Sequence, residues 1–180
     1  MIEIAELTPA EVSARAGELA DVLDDVVAGG ASLGFLSPLR REDALAYWRG
    51  RAAPVADGAA VLWVACVDGR VVGTVQLHLA AMPNGRHRAE IAKLMVRRDA
   101  RGRGVAGALL GAAERGAVGR GVTLLVLDTQ TGSPAERLYR SSGWTEVGVI
   151  PDFATDPGGV LQPTTVFYKL LSRESNPRNP

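Results

Sequence analysis

Cysteine is almost absent from this chain. Cys66 stands alone, so no internal disulfide framework is available. Histidine is nearly as scarce: His78 and His87 are isolated, without the spacing that a metal site requires, and no metal is expected. Neither sign of charge is in excess, because 20 basic residues balance 20 acidic ones. That balance argues against a general nucleic-acid binder, which carries a basic surplus. No stretch approaches the roughly 20 apolar residues of a membrane span, and no membrane partner is expected. The segment MIEIAELTPAEV is acidic and lacks the apolar core of an export signal, so the expectation is a soluble, cytoplasmic protein. Lysine is rare too. Only Lys93 and Lys169 accompany eighteen arginines, a bias read first as genome composition and second as phosphate chemistry.

What is present suits one compact domain. The chain has 180 residues, of which 47% are apolar and 22% charged, enough for a sizeable core and too little for two ordinary domains. The expected domain spans residues 1–171, and the polar tail SRESNPRNP at 172–180 is expected to be disordered. Residues 1–7 alternate as a short strand. Thr8-Pro9-Ala10-Glu11 then carries the signature of a capping box with proline at the first helical position, opening a helix to about Val27. A second helix is expected from Leu39 to about Arg51. The strands VLWVACV and VVGTVQLHL flank Asp68-Gly69, a two-residue hairpin signal. After Pro83-Asn84-Gly85 comes the strand AEIAKLMV, completing an antiparallel meander of three strands.

The pattern then changes. A helix from Gly104 to about Val118 leads to the strand VTLLVLD, the helix SPAERLYRSSG, the strand WTEVGVI and a last strand over residues 164–171. Strand, helix and strand between Ala89 and Asp128 form a βαβ crossover, so those two strands are expected to be parallel. The fold class is therefore mixed α/β.

The sharpest local feature is the loop from Arg97 to Gly107. It holds four arginines in seven residues and the glycines Gly102, Gly104 and Gly107. It joins a strand to a helix start, where exposed N–H groups and the helix dipole favour an anion such as a pyrophosphate. A solvated, arginine-rich helix cap would have the same composition. Gly102-x-Gly104-x-x-Gly107 also matches a dinucleotide fingerprint, with Asp128 about twenty residues on. Five residues separate Val96 from Gly102, however, and the motif follows an antiparallel meander. Too little chain remains after Asp128 for three more βα units. A nicotinamide-dependent oxidoreductase is set aside on those grounds.

Arg101-Gly102-Arg103-Gly104-Val105-Ala106 instead resembles the R/Q-x-x-G-x-G/A loop of the GNAT N-acetyltransferases. Ala135-x-x-Leu138-Tyr139-x-x-x-Gly143-Trp144 follows in the order and spacing of that superfamily. One departure is visible: Gly132 stands where many members have asparagine, with Ser133 beside it. Within the superfamily, GGASLGF at 29–35, Pro83-Asn84-Gly85, Arg88-Ala89-Glu90, Lys93-Leu94-Met95-Val96, Leu127-Asp128-Thr129 and Gly132-Ser133 resemble the tabtoxin resistance acetyltransferases. The resemblance implies a single central, largely antiparallel sheet with a parallel βαβ unit in its middle and helices on both faces. It implies acetyl-CoA as donor and a small amino-acid-like antibiotic or metabolite as the amine acceptor, with a homodimer left open.

The resemblance also implies roles for particular residues. Backbone amides from Arg101 to Ala106 (Gly102, Arg103, Gly104 and Val105 between them) would hold the pyrophosphate. Leu94, Met95 and Val96 would pair with the pantetheine arm like an added strand, and Ser133 would contact it in place of the missing asparagine. Glu90 is the expected base, the alternative being a strand-edge carboxylate paired with Arg88 or Lys93. Asp128 is either a second carboxylate at the amine or the cap of the next helix. Tyr139 is a general acid for the departing sulfur, or else a packed core tyrosine. Ser32, Phe35 and Trp48 are expected in the acceptor pocket, with residues 152–159 as its other edge. A catalytically inactive acyl-CoA-binding sensor of the same fold is the competing class.

Overall fold

The computed structural model describes residues 1–172; the tail expected at 172–180 lies outside the described residues but for Ser172. After β1 (Ile2–Glu6) the capping box closes as expected. Glu11 N–H donates to Thr8 Oγ1 at 3.3 Å, and Thr8 N–H donates to the Glu11 carboxylate at 2.8 Å. The single helix expected to Val27 is two, α1 (Pro9–Ala14) and α2 (Ala16–Ala28), separated at Arg15, whose φ of −92° and ψ of 8° leave the helical range. The second expected helix is also divided, into α3 (Arg41–Arg49) and α4 (Ala52–Ala56). Apolar periodicity runs across both breaks, because each pair of helices covers the same face of the sheet.

The hairpin of β2 (Ala60–Val67) and β3 (Arg70–Leu79) turns through Asp68 and Gly69 at φ of 51° and 78°. Two successive positive φ values match the right-handed twist of the flanking strands. Then follow β4 (Arg88–Val96), α5 (Val105–Gly119), β5 (Leu124–Gln130), α6 (Pro134–Ser141), β6 (Thr145–Thr155) and β7 (Leu161–Leu170). The seven strands form one sheet in the order β1-β2-β3-β4-β5-β7-β6, so β7 inserts between β5 and β6.

Two cores flank the sheet. On one face α5 and α6 pack on Trp63, Leu77, Leu125 and Phe167. Gly116 permits this approach, since a Cβ there would overlap the Trp63 ring. On the other face α1, α2 and α3 bury Leu19, Leu23 and Trp48 against Leu62, Val64 and Met95.

The expected parallel pair exists, but it is short. Only Arg88, Ala89 and Glu90 of β4 register with Leu124, Leu125 and Val126 of β5. Beyond that the two strands part, and a crevice opens at their carboxyl ends, where open α/β sheets bind ligands. Against β3, Ala92 faces Gln76 and Met95 faces Thr74, so Lys93 and Leu94 together oppose Val75. This is a β-bulge, which bends its strand and interrupts its ladder. Lys93 takes a φ of 51° there.

Candidate active site

The parted strands bound a cleft of about 840 Å³. Its two ends are built differently. At one end the backbone predominates. Leu94, Met95 and Val96 border the cleft just past the bulge. Next comes the glycine loop, with Gly102 and Gly104 in the left-handed region at φ of 73° and 81°. A Cβ at either glycine would meet nothing within 4 Å, so conformation and open space for an incoming group account for them, not crowding. The first turn of α5 has no side-chain cap. Its first intrahelical bond is donated by Ala108 to Gly104, which leaves the preceding N–H groups at the positive end of a helix of 15 residues.

The arginines of this loop divide. Arg97 pairs with Asp99 at 3.3 Å and Arg98 with Asp25 at 3.0 Å, so both serve the fold. Arg101 borders the cleft, and its Nε donates to the Val96 carbonyl. Arg103 lines a separate groove with Asp68, Arg70 and Asp99, so its side chain does not reach the cleft. Val105 is buried in the core, whereas Ala106 borders the cleft. Uncapped N–H groups, an aligned helix dipole and one nearby guanidinium fit a pyrophosphate. The interrupted ladder of β4 fits a polyamide arm.

At the other end side chains predominate. Glu90, Lys93 and Asp128 border the cleft together. Glu90 registers with Val126, and Asp128 lies two residues further along β5, hence on the same face. Among the described residues Glu90 makes no ion pair with Arg88 or Lys93. Partial desolvation raises the Glu90 carboxyl above the usual glutamate range, the charge of Asp128 adds to that, and Lys93 opposes it. Asp128 accepts a hydrogen bond from Thr164 Oγ1 at 2.8 Å. It does not cap the next helix. Ser133 does, accepting from Glu136 N–H at 3.1 Å. Ser133 thus borders the cleft with its hydroxyl already engaged in the cap.

Tyr139 is packed in the core and also reaches the cleft. Its ring is only 5% exposed and edge-on to Trp144 at 5.7 Å. Burial, and after it the charge of Asp128, push its hydroxyl well above the ordinary tyrosine range.

A roof covers this end of the cleft. Ser32 borders the cleft and donates to the Thr155 carbonyl at 3.2 Å, and Ser37 N–H donates to the Pro157 carbonyl at 2.9 Å. The loop after α2 is thereby tied to the end of β6 and to the connection that follows it, and Phe153 and Ala154 of β6 border the cleft from that side. Phe35 does not form the cleft wall; it packs edge-on against Tyr47 at 5.2 Å. Trp48 is a correction. It is 0% exposed within the α2–α3 core, because its position on α3 turns it toward the sheet, away from the cleft. Thr164 and Gln162 border the cleft without any sequence signal as site residues. Lys93 borders it too, and the sequence marked it only by the rarity of lysine, by its place in the Lys93-Leu94-Met95-Val96 stretch and as a possible partner of Glu90.

The sequence model of the acetyltransferase (GNAT) family matches residues 34–144. The fold is similar to that of a ribosomal-protein-alanine N-acetyltransferase from Brucella melitensis, with a TM-score of 0.73 and 25% identity over 94% of this chain and 99% of that one. It is also similar to an N-acetyltransferase from Staphylococcus aureus Mu50, with a TM-score of 0.78 and 15% identity over 96% and 99% of the two chains. A third similar structure is yncA from Salmonella typhimurium, solved with its cofactor acetyl-CoA, with a TM-score of 0.75 and 18% identity over 99% of each chain.

Proposed function

The chain belongs to the acetyltransferase (GNAT) family, and from that premise we propose that it moves an acetyl group from acetyl-CoA directly to the amine of a small amino-acid-like metabolite or antibiotic of the tabtoxin type. One observation carries this reading. Arg101 and Ala106, the two ends of the backbone cradle for a pyrophosphate, border the same cleft as three groups able to handle protons.

Acetyl-CoA supplies an acyl group already activated as a thioester. The N–H groups around Arg101–Ala106 hold its charged end, and the bulged strand receives its amide arm. The acceptor amine arrives mostly protonated at neutral pH, so a base must first free its lone pair. Glu90 is suited to this, because its raised proton affinity makes it a stronger base than an ordinary glutamate. Asp128, oriented by Thr164, faces the ammonium beside it. As the C–N bond forms and the C–S bond breaks, the nitrogen sheds its remaining surplus proton through the carboxylates to water. Tyr139 stays protonated at working pH and hydrogen-bonds to the departing sulfur. Its raised pKa keeps the hydroxyl protonated as a donor that stabilises the thiolate, which takes up its proton from water by way of Tyr139.

The test combines acetyl-CoA with a panel of amino acids and simple amines, following free thiol and acetylated product by mass spectrometry. Turnover of a small amino-acid-like amine is expected. Tight acetyl-CoA binding with no turnover across the panel would assign the chain to the acyl-CoA-binding sensors. Failure to bind acetyl-CoA would overturn the cradle.

A further inference from the structure

The two lysines of this chain have different surroundings. Lys169 is fully accounted for: its Nζ lies 2.8 Å from both oxygens of Glu114 and 2.9 Å from the Ser142 carbonyl. Lys93 is not. It borders the cleft with Glu90 and Asp128, yet among the described residues it forms no ion pair. One of its three N–H donors is directed to the Leu33 carbonyl at 2.7 Å. The Phe35 ring lies beneath the ammonium at 5.8 Å, and Nζ stands 3.7 Å from where a Cβ on Gly34 would be. The roof loop therefore walls one side of the ammonium, while its residue borders the open cleft.

The backbone at this position singles out the side chain. A φ of 51° in a bulge suits glycine or asparagine, and lysine there carries a conformational cost. In a chain that otherwise uses arginine, a compact ammonium has been placed where the strand bends toward the cleft. A second cation, Arg51, lies over the Tyr47 ring at 5.1 Å, also without an acidic partner among the described residues. Burial lowers the proton affinity of Lys93, the charges of Asp128 and then Glu90 oppose that, and Arg51 adds a smaller push in the same direction as burial. The acceptor end thus has two carboxylates and, beside them, an ammonium that forms no ion pair among the described residues. A zwitterion complements that arrangement: its ammonium faces Glu90 and Asp128, and its anion faces Lys93.

We propose that Lys93 is a specificity-determining residue that holds the carboxylate of the acceptor, so that the cleft selects amino acids over amines lacking an acid group. This deepens the acetyltransferase reading above and rests on it. A charge-assisted hydrogen bond of this kind corresponds to a preference of roughly 10- to 100-fold.

The experiment compares the twenty common amino acids with their primary amides, using wild-type protein, Lys93→Met and Lys93→Arg. Melting temperature and acetyl-CoA affinity are measured alongside. For the best acceptor, wild type is expected to prefer the acid over its amide by roughly 10- to 100-fold in kcat/KM, mostly through KM. Lys93→Met should bring the acid-to-amide ratio close to one, and Lys93→Arg should restore part of it. The proposal is overturned if wild type accepts amides as well as acids, a comparison that needs no variant. It is equally overturned if Lys93→Met lowers acid and amide alike, which would make Lys93 a tether of the roof loop and nothing more. Absence of turnover with every acid and every amide is a different failure, and it removes the acetyltransferase reading together with this one.

Discussion

The two ends of the cleft are built differently, and in the proposed function they recognise their ligands by different means. At the proposed cofactor end, N–H groups at the start of α5 and the freed edge of β4 would do the binding, and side chains mainly shape the loop. At the proposed acceptor end, Glu90, Asp128, Lys93 and Tyr139 come from three elements and would act through their side chains. Backbone recognition demands particular conformations, which only certain residues permit, so it leaves a compact motif. Side-chain recognition demands only that groups meet in space. One end should accordingly be sensitive to backbone geometry, the other to single functional groups.

The largest expected effect tests the cofactor end. Gly104→Asp places a Cβ in a left-handed conformation and a negative charge at the helix start. Acetyl-CoA affinity, measured by calorimetry, should fall by roughly a thousand-fold with the melting temperature little changed. Wild-type affinity in this variant would remove the distinction between the two ends. Next in size is Tyr139→Phe. It keeps the packing on Trp144 and deletes one proton, so kcat should drop by roughly 10²-fold while acetyl-CoA affinity stays within about two-fold.

The two carboxylates should then separate. Glu90→Gln is expected to lower the rate by roughly 10- to 100-fold at neutral pH and to recover partly in alkaline solution, where more amine is already free. The acidic limb of the wild-type profile should lie above the range of an ordinary glutamate, because desolvation and then Asp128 raise Glu90. Asp128→Asn should move that limb to lower pH, since it removes one of the two causes, and should raise the acceptor KM by roughly ten-fold. A limb that does not move would uncouple the pair. Smallest in activity is Trp48→Phe. This side chain is sealed in the core and its Nε1 has no hydrogen-bond partner among the described residues. The change should cost about 1–2 kcal/mol of stability through lost volume, with kcat/KM within about two-fold of wild type.

The capping box at Thr8, the turn at Asp68-Gly69 and the glycine loop at 101–106 were legible because each depends on neighbours a few residues apart. Two helix breaks were not. The apolar stripe continues through Arg15 and beyond Arg49, and a stripe records which face is buried, not whether the axis bends. Phe35 and Trp48 show the same limit from another side. An aromatic residue in a loop or helix next to a site can face the site or the core, and local spacing does not distinguish them. Lys93 was the reverse case, an ordinary-looking residue in a strand whose bulge depends on its pairing with Val75.

Local order alone therefore settled the class of fold, the meander, the crossover and the glycine loop at the start of α5, since backbone conformation, hydrogen bonding and periodicity act over a few residues. Tertiary structure decided the rest. The insertion of β7 between β5 and β6 places Thr164 against Asp128, two residues 36 apart in sequence. The parting of β4 from β5 after three paired residues opens the cleft. The ties from Ser32 and Ser37 to the far hairpin close its acceptor end. Each joins distant segments whose meeting is set by the packing of two cores on one twisted sheet, and no short stretch of chain carries the energy of that packing.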